Sequence, residues 1–362
     1  MINIRKISIN VFLGFLFSAL LVGEAITDSH VEIISETKTD LHLQFNFDNL
    51  NFHEIVIDGE KYIQPKLKGL LHNQLKSIPD LPSFSTSIQI PNGTKADLIF
   101  EISASEVYDE IQIAPSKGKI TRNINPKHVN YIFNDIYKSN SNFPSQMIHM
   151  NSPLIFRGFK GNTINIVPFA YNPLQSTLTF YSTIDVYIQF KDDPLAIEPI
   201  ESKLTNPFRQ VVDNFFINSS SSRYEHVEDN GSLVIITDDE YIPALQPLVN
   251  WKNMRGLHTQ AHSTQSIGNT PELIKAFIFE KYINENISYV LFVGNTDQVA
   301  TFWPEANIPS DPMYGYLDGD DAYPEVFVGR FSSDSIDDVQ VQVDRVIKYE
   351  RDMTSQATWY NQ

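Results

Sequence analysis

At 362 residues, 42% hydrophobic and 20% charged, the chain can bury two or three ordinary cores and is too apolar for a disordered polymer. Its net charge of −17 repels phosphate backbones and anionic lipid, which argues against a nucleic-acid partner. It contains no cysteine, so it can form no disulfide and carries no thiol nucleophile. At the N-terminus, Arg5 and Lys6 precede an almost wholly apolar run from Val11 to Val22, and Gly23 and Ala25 occupy small-residue positions. The pattern is that of a secretory signal over residues 1–25, cut after Ala25; the competing reading is a membrane anchor, for which the run is short. No later stretch is apolar enough to cross a bilayer, so the expectation is an exported protein, extracellular or at the cell surface, with no membrane span.

Residues 27–200 read as an all-β domain, sandwich- or barrel-like. Leu41, Leu43, Phe45 and Phe47 alternate with polar residues. From Leu178 to Phe190 the apolar side chains Leu178, Phe180, Ile184, Val186, Ile188 and Phe190 share one face, with Ser182 the single polar residue among them. Period two over that length predicts a strand with one buried face. Asp58-Gly59, Asn92-Gly93 and Asn172-Pro173 punctuate the region as turns. Its histidines are scattered without metal-ligand spacing.

Residues 201–230 read as a linker. Asn218 to Ser222 is NSSSS, followed by Arg223-Tyr224 and a polar run, a composition that buries little and stays open to proteases. Over residues 231–362 the pattern becomes α/β. Leu233 to Ile236 and Tyr289 to Val293 are continuous apolar strands, and Leu257 to Ser263 and Val326 to Val328 are two more candidates. Between and after them come helices over Ile242 to Arg255, one capped by Thr270 with Pro271 in its first turn, and one capped by Ser335. Leu273, Ile274, Phe277, Ile278 and Tyr282 are predicted to line one face of the second, and Val339, Val343, Val346 and Ile347 the last. Strands alternating with helices imply a parallel sheet covered by helices.

Acid is concentrated late in the chain: Asp311 to Asp344 holds nine Asp or Glu and one basic residue, Arg330. Asp318, Asp320, Asp321 and Glu325 surround one glycine turn and repel one another unless water or a cation screens them. Ca²⁺ suits several oxygens from one flexible loop, although the spacing is not that of an EF-hand. An Asp-Gly turn with its acids in water accounts for the same residues, and both readings stand.

The stretch DGDDAYPEVFVGRFS, followed by DRVIKYERD, resembles the gingipain-type cysteine peptidases. So do Trp251, Lys252, Arg255 and Gly256 at the end of a helix, and YVLFVGNTDQ, where Asn295 stands in place of the usual Asp. Earlier, PDLPSFSTSIQIP and FRGFKGNTINIVPFAYNP resemble the family prodomain, with Arg157, Gly158, Pro168, Tyr171, Asn172 and Pro173 matching in order. The resemblance implies a latency-conferring prodomain that contacts the catalytic domain, a maturation cut at Arg223-Tyr224, and the first part of a caspase-like catalytic domain over 231–362. It also implies a structural Ca²⁺ held by the side chains of Asp321 and Glu325, with Asp320 as a further ligand and the carbonyls of Asp318 and Tyr323 completing the shell.

Such a peptidase needs a thiolate beside a histidine. In the family both lie downstream of the helix that ends, here, at Tyr349-Glu350-Arg351; no cysteine is present and no histidine follows His262. The expectation is therefore the N-terminal portion of a secreted endopeptidase precursor that acts on proteins or peptides, with the catalytic pair beyond Gln362 and this chain inactive alone. The alternative is a non-catalytic secreted protein whose β domain and calcium-binding α/β domain hold a protein or glycan partner.

Overall fold

The computed structural model describes residues 30–219, 229–305 and 308–351. The expected signal with its cut after Ala25, and the Arg223-Tyr224 junction, lie outside the described residues. The chain forms two compact units: one comprises residues up to Ser152 with Asn162–Ala196, the other Pro153–Gly161 with Ile197 onward.

Among the described residues, eleven strands precede the first α-helix: β1 (Val31–Glu36), β2 (Asp40–Asn46), β3 (Asn51–Ile57), β4 (Glu60–Lys66), β5 (Phe84–Gln89), β6 (Thr94–Tyr108), β7 (Ile148–Met150), β8 (Leu154–Phe156), β9 (Phe159–Ile166), β10 (Phe169–Asn172) and β11 (Thr177–Asp192). The first unit is built on antiparallel pairing: β11 lies between β2 and β6 and also pairs with β10, while β1 extends the sheet beyond β2. The period-two pattern fixes this register. All six apolar residues expected on one face of β11 are buried, and Ile184, Val186 and Ile188 lie opposite Phe45, Leu43 and Leu41 of β2. The interruption at Ser182 coincides with a register shift against β6 between Tyr181 and Ile184.

The second unit contains α1 (Asn206–Phe215), β12 (Ser232–Thr237), α2 (Ile242–Met254), β13 (His258–Ser263), the single turn α3 (Thr264–Ile267), α4 (Pro271–Glu285), β14 (Tyr289–Val293), the small pair β15 (Phe302–Glu305) and β16 (Ile308–Ser310), β17 (Phe327–Phe331) and α5 (Ile336–Arg351). Strands run β13-β12-β14-β17, all parallel. On one face Val234, Ile236, Val290 and Phe292 pack against Ile274, Ile278 and Tyr282 of α4. On the other, Leu233 and Ile235 pack against Leu245 and Leu248 of α2 and Val339 and Val343 of α5. Strands buried on both faces are why these segments are continuously apolar. Thr270 accepts the Leu273 amide at 3.3 Å, and Ser335 and Asp338 form the reciprocal cap of α5. Leu273 itself departs from expectation: it sits half exposed at 50% in the first turn of α4, off the buried stripe that begins at Ile274.

Two residues turn the chain inside the short segment of the second unit that comes from early in the sequence. β8 and the start of β9 form a hairpin with Phe156 opposite Phe159, and the two residues between them, Arg157 and Gly158, have φ of 49° and 80°. Both signs match a type I′ turn. A Cβ on Gly158 would stand 2.8 Å from the Ser202 hydroxyl, so glycine is needed for space as well as for φ.

Candidate functional site at the acidic loop

The loop between Tyr314 and β17 hangs on one buried carboxylate. Glu325 is fully buried, and its Oε2 accepts the amides of Leu317 at 2.8 Å and Asp318 at 3.1 Å, closing the loop on itself. Its Oε1 is buried without a hydrogen-bond partner. Burial pushes the Glu325 carboxyl up to about 7; the amide hydrogen bonds oppose that shift, and the nearby Asp318 adds to it.

The other carboxylates take backbone donors. Asp321 accepts the amide of Tyr323 on Oδ1 and the amide of Ile155, in β8, on Oδ2, both at 2.8 Å. Asp318 accepts Gly319 at 2.9 Å and Ile200 at 2.7 Å. Asp320 is exposed, and the Tyr323 ring packs on Phe156 and Phe215. The structure thus draws Asp318, Asp321, Tyr323 and Glu325 into one turn and leaves Asp320 at its rim. Among the described residues, no three His, Asp or Glu side chains already converge on one point.

The loop enters the sheet at the N-terminal end of β17, whereas Asp311, just upstream of it, is tied to the C-terminal ends of the strands. Arg330, on β17, makes a two-pronged pair with Asp311 at 2.7 and 2.8 Å and donates through Nη1 to the carbonyls of Gly294, Asn295 and Val299. Burial pushes the Asp311 carboxyl up, but hydrogen bonds from Arg330 and Thr301 outweigh it and hold the group below the ordinary carboxylate range. At the same sheet edge the Asn295 side-chain amide donates to Asp334. His258 and His262 are both on β13; His258 is exposed, and His262 packs edge-on to Phe277 with its Nε2 buried and unpartnered. Burial lowers the His262 pKa, so the ring is held neutral.

Sequence reasoning named Arg157 only as a match to the prodomain pattern and gave it no structural role. Fully buried, it donates from Nη1 to the carbonyls of Ile287 at 2.8 Å and Glu325 at 2.5 Å, and from Nη2 to the carbonyl and side-chain oxygen of Asn286. Its guanidinium lies over the rings of Phe208 and Tyr282. The visible signal was an arginine before a glycine between two phenylalanines, a charged residue at a turn flanked by core residues.

In the first unit, Ser103 and His42 both meet Asp185, the serine hydroxyl donating to one carboxylate oxygen and His42 Nε2 lying 2.9 Å from the other. The histidine meets the aspartate rather than the serine, and the cluster cross-links the neighbouring strands β6, β11 and β2.

A family model described as Propeptide_C25 matches residues 24–224, over half the chain, and one described as Peptidase family C25 matches residues 226–362. The chain belongs to the gingipain-type family of cysteine peptidases. Gingipain R2 of Porphyromonas gingivalis is 31% identical over 96% of this chain and 49% of its own length. Lys-gingipain of the same organism is 21% identical over 85% of this chain and 19% of its own. A solved complex of Porphyromonas gingivalis RgpB pro- and mature domains aligns with 53% of this chain and 99% of that one at 24% identity, with a TM-score of 0.45. The chain spans about half the length of Gingipain R2 and less of Lys-gingipain. Among the described residues, no helix is long and apolar enough to cross a membrane.

Proposed function

We propose that these residues are the N-terminal portion of a secreted cysteine endopeptidase precursor, kept latent by its propeptide and matured by a cut at Arg223-Tyr224. The observation that carries the reading is the succession of a propeptide match over 24–224 and a peptidase match from 226 in one chain. The 362 residues include no cysteine, so the thiol has to be supplied by residues outside them. The part present contributes the parallel sheet and the loop that fixes its β17 edge. The decisive experiment expresses this chain and, separately, the longer product of the same reading frame. The chain alone should hydrolyse no peptide; the longer product should do so, and iodoacetamide should abolish it. Thiol-independent hydrolysis by the chain itself would overturn the reading.

A finer part of the same proposal is one structural Ca²⁺ at the acidic loop. Two features fit it: the buried Glu325 Oε1, which makes no hydrogen bond of ordinary geometry although the Arg157 backbone amide acts on the same carboxyl, and Asp318, close enough to act on it too. Glu325 and Asp321 would be the principal side-chain ligands, with Asp320 from the rim and the carbonyls of Asp318 and Tyr323. Bound there, the ion neutralises like charges and fixes the entry of β17; Zn²⁺ finds neither Cys nor His in the loop.

A further inference from the structure

The hairpin tip 156–159 and helix α1 both precede the junction between the two family matches, yet both are built into the same compact unit as the parallel sheet. Leu154, Phe156, Phe159, Phe208, Val212 and Phe216 form one buried cluster, against which Tyr323 and Phe327, from beyond the junction, are packed. At its edge Arg157 fills a cage with no carboxylate among its hydrogen-bond partners. Its acceptors are three main-chain carbonyls and the Asn286 amide oxygen, and its walls are Phe208 and Tyr282.

Two features fit the cage to the two terminal nitrogens of a guanidinium, while Nε is buried without a partner. Asn286 ends α4 in the left-handed conformation, at φ 51°, which turns both its carbonyl and its side chain onto Nη2. Ile287 and Glu325 contribute carbonyls from segments far apart in sequence, and both reach Nη1. A lysine could not fork to both sides of such a cage.

We propose that Arg157, at the tip of a hairpin, is the plug that keeps the propeptide bound after the connecting chain is cut, its guanidinium held by carbonyls of the peptidase part between Tyr282 of that part and the propeptide's own Phe208. The inference rests on the precursor reading and adds the means of retention. Four neutral acceptors hold the cation firmly, and, because none is a carboxylate, water can satisfy them once the hairpin leaves.

The test uses the full chain with a sequence-specific protease site placed within residues 220–228 and cut to completion. The two wild-type pieces should co-elute at micromolar concentration. Arg157 should react with phenylglyoxal at least tenfold more slowly than the exposed Arg122, becoming equally reactive only when denaturant separates the pieces. Arg157→Ala and Arg157→Lys, intact by circular dichroism before cutting, should lose at least tenfold in the co-eluting fraction after it. The proposal is overturned if the wild-type pieces part on cutting, or if Arg157 is modified at the Arg122 rate while they co-elute. It is equally overturned if a folded variant is retained as firmly as wild type. Should both variants fail to fold, the wild-type protection measurement still decides. No readout involves peptide hydrolysis, so failure here leaves the precursor reading to its own activity assay.

Discussion

Two arginines of the second unit are held in opposite ways. Arg330 is paired with a carboxylate, Asp311, and also reaches three carbonyls at the sheet edge. Arg157 reaches carbonyls and an amide oxygen, and burial pulls its pKa down to about 10, still high enough to keep it charged near neutrality. The difference lies in what each would leave behind. Taking away Arg330 strands a partly buried anion; taking away Arg157 strands neutral acceptors. A contact meant to be permanent gains from the first arrangement, and one that must eventually open gains from the second.

The comparison can be broken by mutation. Arg330→Ala should cost about 3–5 kcal/mol in urea unfolding, the usual scale when one partner of a buried pair is removed. Removing both partners, as Arg330→Met with Asp311→Leu, should cost less than Arg330→Ala alone. Arg157→Ala in the uncut chain should cost about 2–3 kcal/mol, the scale of hydrogen bonds to a charged donor. If Arg157→Ala were the more damaging of the two single changes, the neutral cage would not be the more forgiving site.

Much of the sheet was legible because both faces of a parallel strand must be apolar, and Leu233–Ile236 and Tyr289–Val293 declare themselves. The alternating β11 was equally plain, since period two survives in sequence order. The acidic loop was legible as a cluster of charge, but the partners of its carboxylates were not. The amides of Ile155 and Ile200 come from 166 and 118 residues away, and a backbone donor leaves no mark on the sequence. Arg157 was hidden for the same reason. Its cage is made of main-chain carbonyls, and only the tertiary fold brings Asn286, Ile287 and Glu325 to one place.

Acid sharpens the comparison next. Asp311 has its carboxyl held below the ordinary range by Arg330 and Thr301 despite burial, so its share of stability is present above the unfolded-state value. That share is lost as pH falls through the folded-state value. Arg157 keeps its charge throughout that window. Urea midpoints taken from pH 6 down to pH 2.5 should therefore fall less steeply for Asp311→Asn than for wild type. Glu350, also held low, keeps the variant from being flat. Arg157→Ala should start lower and run parallel to wild type. A parallel line for Asp311→Asn would remove the ion pair from the account.

The smallest expected effect concerns the acidic loop, where the anions lack the strong cation that Asp311 enjoys. Asp321 and Asp318 are satisfied by amides alone, and Glu325 keeps one buried oxygen unpaired. An added Ca²⁺ would supply the missing positive charge, and a ligand that binds only the folded state stabilises it in proportion to its saturation. With free Ca²⁺ about tenfold above its dissociation constant, the gain is about 1.4 kcal/mol. For a unit of this size that raises the melting midpoint by roughly 3–6 °C. Melting curves in Ca²⁺, in Mg²⁺ and in chelator should separate only for Ca²⁺, since the smaller ion sheds its water reluctantly. Asp321→Asn with Glu325→Gln keeps the shape of the loop while removing two charges and one of the two amide acceptors of Asp321, so, checked as folded by circular dichroism, it should lose the calcium response. A wild-type midpoint unmoved by Ca²⁺ would leave the loop as a turn whose acids are satisfied by the backbone and by water.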